Sequence, residues 1–201
     1  MTKKASLMVA GLSILLLSAC GATPDQVISQ AQQEANDMTE SLQIIQTNEA
    51  DLQTDFETDL AADKSLANMA EGGQGETRAN LIARQDAFET LKEDYENLHN
   101  QAATLKKFDE TDFTAEEDFS NFSEMRNLVL TVDEQMAGYV ENYQAVLDAE
   151  NDYYQQLAAE DSDLTVFTDG MTGINSQYQT AQELLAEVLP NLAKLAEDPE
   201  A

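Results

Sequence analysis

The chain has 201 residues, room for one domain of ordinary size or two very small ones, and its 10 Lys+Arg stand against 39 Asp+Glu for a net charge of −29. So acidic a chain repels phosphate backbones, which excludes nucleic-acid binding through a basic face. One Cys and one His likewise exclude a disulfide framework and a Cys/His zinc cluster. Apolar residues still make up 42% of the sequence, enough for a packed core and too many for wholesale disorder.

Lys3 and Lys4 open the chain, and Ala5–Ala19 is an apolar run interrupted only by Ser6, Gly11, Ser13 and Ser18. At ~1.5 Å per residue this run falls short of a ~30 Å hydrocarbon core, so a permanent span is the weaker reading. The pattern predicts a signal peptide over residues 1–19, to be set aside before reasoning about fold. It closes on Leu17-Ser18-Ala19-Cys20, which holds the one cysteine of the chain and resembles the lipobox of bacterial lipoproteins. That resemblance implies diacylglyceryl transfer to the Cys20 thiol and cleavage just before it. Two acyl chains meet the two-signal requirement for stable anchoring, at ~0.8 kcal/mol per buried CH₂. The alternative is an ordinary signal peptide whose cysteine is incidental. Residues 20–23 form the short tether, and everything after residue 19 carries 8 − 39 = −31 charges.

The bundle domain is predicted over residues 24–198. Thr23 as N-cap and Pro24 as the first helical residue mark a helix start. No Gly or Pro follows until Gly72-Gly73-Gln74-Gly75, which is expected to stop the helix. Its apolar seam is Ile28, Ala31, Ala35, Met38, Leu42, Ile45, Leu52 and Phe56, with steps of three and four broken once, at Glu49. A second helix beginning at Thr77 has the seam Leu81, Arg84, Phe88, Leu91, Tyr95, Leu98, Ala102 and Leu105. Thr114 and Glu117 have capping-box spacing for a third helix. The third seam runs Phe122, Met125, Val129, Val132, Met136, Tyr139, Tyr143, Val146, Glu150, Tyr153, Leu157, and Asp161-Ser162-Asp163 breaks it. The fourth runs Met171, Ile174, Tyr178, Ala181, Leu185, Val188, Leu192, Leu195, with Pro190 expected to kink or fray the end.

These seams predict an all-α fold: an elongated, up-and-down four-helix bundle with coiled-coil-like heptad packing, on the order of 50–70 Å long. Because the first helix leaves the anchor, the 72–77 and 161–165 loops fall at the distal end. The 109–114 loop and the C-terminus fall near the membrane.

Three patterns point weakly to chemistry. Glu96-x-x-His99 matches half of a di-iron motif, but such centres need a second copy and two further carboxylates, so a solvated flank histidine is the plainer reading. Asp109–Asp118 holds six acids in ten residues, yet no register supplies the glycine of an EF-hand loop. Tyr95, Tyr139, Tyr143, Tyr153 and Tyr178 lie on seams and read as core, whereas Tyr154 lies off the seam and is expected to be exposed. With no phosphate loop and no nucleophile–base pair, the chain is expected to be no enzyme and to hold no cofactor or metal.

Polar residues at seam positions, Arg84 and Glu150, predict a buried polar layer near the distal end. If helix pairs reflect about their turns, Asp59, Asp63 or Asn175 joins them. The plain role of such a layer is to fix helix register, and the sharper one is recognition.

Phe56-Glu57-Thr58-Asp59-Leu60, Arg78-Ala79-Asn80 and Gly170-Met171-Thr172-Gly173-Ile174-Asn175 resemble the YkyA family of Gram-positive lipoproteins, to which cell-wall binding is ascribed. The resemblance implies an elongated helical bundle on the extracellular face of the membrane. Its partners would be the membrane, through Cys20, and a cell-wall polymer or an envelope protein. The expected function is therefore a lipid-anchored scaffold, spacer or wall-binding module. The alternative is a ligand- or cation-binding lipoprotein serving a membrane partner.

Overall fold

The computed structural model describes residues 22–62, 64, 66–159 and 162–197. Residues 1–19, Cys20, Asp63 and the domain end at 198 lie outside the described residues. Four long helices make up the fold: α1 (Pro24–Ala62), α2 (Glu76–Leu105), α3 (Glu116–Leu157) and α4 (Leu164–Ala196). Short 3₁₀ turns at Ala67–Met69 and Glu110–Asp112 lie in the first two connections. Among the described residues there is no strand, and no helix is long and apolar enough to cross a membrane.

Each helix runs antiparallel to the next. Gln32 and Asn36 near the start of α1 donate to the Glu197 and Ala196 carbonyls at the end of α4. At the other end Phe56 of α1 meets Phe167 of α4 at 6.5 Å between ring centroids. The closest pairings are α1 with α2 and α3 with α4, while the α2–α3 and α1–α4 seams are both much looser.

The predicted seams supply the core. Ala31, Ala35, Met38, Leu42 and Ile45 of α1 are buried, as are Leu81, Phe88, Leu91, Leu98, Ala102 and Leu105 of α2. Val129, Val132, Met136, Tyr139, Tyr143 and Val146 of α3 complete it with Ala181, Leu185, Val188, Leu192 and Leu195 of α4. Each fully buried Leu, Val, Phe or Met contributes roughly 1.5–3 kcal/mol. That burial, rather than helix propensity, holds helices of this length in place.

Thr23 and Pro24 start α1 as expected. The Gln26 N–H donates to Thr23 Oγ1 at 3.4 Å, and the Thr23 N–H donates to the Gln26 side chain at 3.0 Å. This is a reciprocal capping box.

Five local expectations are corrected. Helix α1 ends at Ala62, ten residues before Gly72, because the chain turns to bury Met69 and closes a loop in which the Gly75 N–H donates to the Asn68 carbonyl. Leu66 there takes a left-handed φ of 58°. Thr114 caps nothing: α3 starts after Ala115 with no side-chain cap, and the capping box belongs to Asp109 and Asp112 on the preceding 3₁₀ turn. Of the two effects expected of Pro190, fraying does not occur, since α4 continues to Ala196 with Leu192 and Leu195 buried beyond it. Tyr154 is buried, because the apolar face of α3 is wider than a single seam and takes in Tyr153 and Tyr154 together. Met171, by contrast, is 38% exposed, and α4 begins a full two turns before it.

Candidate functional site

Arg84 and Glu150 meet in the interior. Arg84 Nη1 lies 2.6 Å from Glu150 Oε2, with both side chains essentially solvent-free. Arg84 Nε donates to Asn80 Oδ1 at 2.8 Å, and Nη1 also donates to the Tyr178 hydroxyl. Asn80 in turn donates to the Asn48 carbonyl and to Asp55 Oδ2, each at 2.7 Å. One guanidinium on α2 thereby links α1 through Asn80, α3 through Glu150 and α4 through Tyr178. Burial on its own would lower the Arg84 pKa, but the Glu150 carboxylate outweighs it and holds the guanidinium charged. Burial raises the pKa values of Tyr139, Tyr143, Tyr154 and Tyr178 and keeps these phenols neutral.

Glu49 of α1 is a further member that the reading of Arg84 and Glu150 overlooked. It is half-buried beside Tyr143, close enough for Arg84 and Glu150 to act on its charge. Burial pushes its pKa up; Tyr143 and Arg84 offset part of that rise, and Glu150 adds to it. The Tyr143 hydroxyl faces it without completing a hydrogen bond of full geometry. The signal was present in the sequence, since Glu49 is where the α1 seam loses its rhythm.

Asp59 and Asn175 do not join this layer. Asp59 is buried at the far end of α1, where its Oδ1 and Oδ2 accept from the Glu76 and Thr77 N–H groups, each at 2.9 Å. It therefore supplies from another helix the N-cap that Gly75 cannot. Asn175 is exposed on α4, and Tyr178, one turn further, reaches Arg84 instead. The register differs because residues 66–75 fold over the end of the bundle and add no length to either helix. Asn80 consequently sits beside Asn48, and Arg84 comes close enough to Glu49 to act on its charge.

A second acidic group lies elsewhere on the α1–α2 face. Carboxylate oxygens of Glu34, Asp37 and Asp94 all fall within 4.8 Å of one another. Burial, with Asp37, Glu34 and Glu93 adding repulsion, pushes Asp94 up to about 6. Burial raises Glu34 as well, against a hydrogen bond from Asn97. Because the folded state holds these protons more tightly than the unfolded chain, their contribution is present below pH ~4 and lost as pH rises through about 6. The melting temperature is therefore expected to be higher at pH 5 than at pH 7. Asp94→Asn should shrink that difference and stabilise the fold at pH 7 by about 0.5–1 kcal/mol, a value discounted for solvent screening. Thermal melts of both proteins across this range are the check; a melting temperature that rises with pH would refute the assignment.

His99 is the exposed flank residue that its position predicted. Its side chain is 60% exposed, and Nδ1 lies 2.8 Å from Asp133 Oδ1 across the α2–α3 seam.

The chain matches the family YkyA, described as "Putative cell-wall binding lipoprotein", over residues 23–192. No curated protein and no solved structure matches it. The match covers all of α1, α2 and α3 and most of α4, including Glu49, Arg84, Glu150 and Tyr178, and the chain belongs to the YkyA family.

Proposed function

We propose that this protein is a lipid-anchored, non-enzymatic bundle on the extracellular face of the cell membrane, which reaches outward to the cell wall. The observation that carries this reading is the placement of its two ends. Helix α1 starts at Pro24, four residues after Cys20, and runs 39 residues to Ala62. At 1.5 Å per residue that is about 58 Å of rigid rod, enough to hold the far end well clear of the headgroups. The far end also carries the exposed apolar side chains Leu60, Leu164, Phe167 and Met171, which suit a contact surface. The family description supports association with the wall, and the Leu17-Ser18-Ala19-Cys20 sequence supports the anchor.

Replacing Cys20 by Ala tests the anchor. The variant is expected to move from the membrane fraction to the soluble or secreted fraction once processed. Processed protein that stayed membrane-bound would show that the anchor lies elsewhere.

A further inference from the structure

The loose α1–α4 seam opens into a groove of about 460 Å³, a size within the range of small-molecule sites. Gln46, Glu49 and Ala50 of α1 line it opposite Gln182, Leu185, Ala186 and Leu189 of α4. We propose that this groove binds a small organic cation, a primary ammonium on a hydrocarbon stem, with the ammonium on Glu49 and the stem along Leu185 and Leu189.

Charge identifies the class of ligand. Glu49 is the one ionisable residue in the lining. Behind it, the guanidinium that acts on it, that of Arg84, is already engaged by Glu150 at 2.6 Å. The layer thus sets two carboxylates against one cation, and the surplus carboxylate is the one that faces the groove. Left alone, Glu49 is held towards its protonated form by burial. A bound ammonium supplies the missing positive charge in place of that proton. A net charge of −29 raises the local concentration of any cation at the mouth.

The remaining lining selects an ammonium over a metal ion. Gln46 and Gln182 line the same groove and carry amide oxygens that can accept. Pro190 has no N–H to give the Ala186 carbonyl, so a residue of the groove wall lacks its helical donor. Three N–H donors on one nitrogen suit scattered acceptors of this kind. A calcium ion asks for six to eight oxygens and a magnesium ion for a near-ideal octahedron, and one carboxylate does not organise either. Ala50, Ala186, Leu185 and Leu189 give the stem an apolar wall, which favours an alkylammonium over a fully hydrated ion.

The test uses the full chain in zwitterionic nanodiscs, with leucine methyl groups labelled for NMR. Addition of n-butylammonium should shift the Leu185 and Leu189 methyl signals saturably at pH 7. Glu49→Gln should weaken that binding at least tenfold, and Ala186→Phe, which fills the groove and leaves Glu49 in place, should abolish it. Binding should weaken as the pH is lowered and Glu49 takes up a proton, while Tyr139, Tyr143 and Tyr178 stay neutral and Arg84 stays charged. Equal shifts from n-butanol, equal binding by Glu49→Gln, or matching shifts from Mg²⁺ alone would each overturn the proposal. So would a saturable response that persists in Ala186→Phe. Wall association with no ammonium binding would sink this proposal and leave the function proposed above intact.

Discussion

Arg84→Met is expected to cost about 3–5 kcal/mol of folding stability, which is roughly 6–20 °C in melting temperature for a domain of this size. The loss arises less from the missing bond than from what remains. Glu150 would be left 0% exposed without its counter-ion, and Asn80 and Tyr178 would lose the donor that joins them. A buried ion pair need not be worth more than a well-packed apolar pair, because two desolvation costs oppose the Coulomb attraction. Arg84→Met combined with Glu150→Leu should therefore recover most of the loss. Chemical denaturation of the two single variants and the double variant closes the thermodynamic cycle. A double variant no more stable than Arg84→Met would mean that the two side chains are not each other's main partner.

The second large effect is expected at Asp59. Its two oxygens take the Glu76 and Thr77 N–H groups at 2.9 Å, and it is 4% exposed. Hydrogen bonds to a charged group contribute about 1.5–3 kcal/mol, and the two share one carboxylate, so Asp59→Ala should cost about 2–4 kcal/mol. Asp59→Asn should fall between the two, since the amide keeps one acceptor. Gly75 belongs to the same device. A Cβ there would stand 2.4 Å from Asp59 Oδ2, so Gly75→Ala should displace the carboxylate and reproduce much of the loss. Urea unfolding midpoints measure all three, and an Asp59→Ala variant as stable as the parent would refute the capping role.

These two sites show which features were legible in the sequence. Four apolar rhythms at three-and-four spacing predicted four helices, and most of the residues that the rhythm named are buried, with Met171 exposed and Ile28, Leu52, Phe56, Tyr95 and Met125 among those only partly buried. Arg84 and Glu150 were legible for the same reason, since a charge on a seam has only the core to enter. Glu49 was visible too, as the break in the α1 rhythm, but its neighbours depend on register. Register depends on how much chain the connections consume, and a polar loop declares no length. Residues 66–75 take up a 3₁₀ turn, a left-handed Leu66 and a buried Met69 before α2 begins. That excursion displaces α2 along α1, puts Asp59 on the Glu76 and Thr77 N–H groups and brings Asn80 to Asn48.

Tyr154 was missed for a different reason. A seam of one residue every three or four describes a helix facing one partner, whereas α3 contacts both α2 and α4 and also touches α1. A helix in that position buries a stripe two residues wide, so the position after Tyr153 is drawn in. The α1–α4 groove follows from the complementary fact. Ala50 and Ala186 are small, Gln46, Glu49 and Gln182 are polar, and side chains of that kind do not close a seam by packing.

Wall association itself is tested most directly by cosedimentation of the full chain, in zwitterionic nanodiscs, with purified cell-wall material. Two preparations are compared, one intact and one stripped of its anionic polymers. A body with 39 acidic and 8 basic residues after residue 19 is repelled by polyanions, so retention is expected on the intact wall and should be equal or stronger on the stripped wall. Loss of retention on stripping would show that the anionic polymers are the ligand after all, and absence of retention on both preparations would contradict the proposed function.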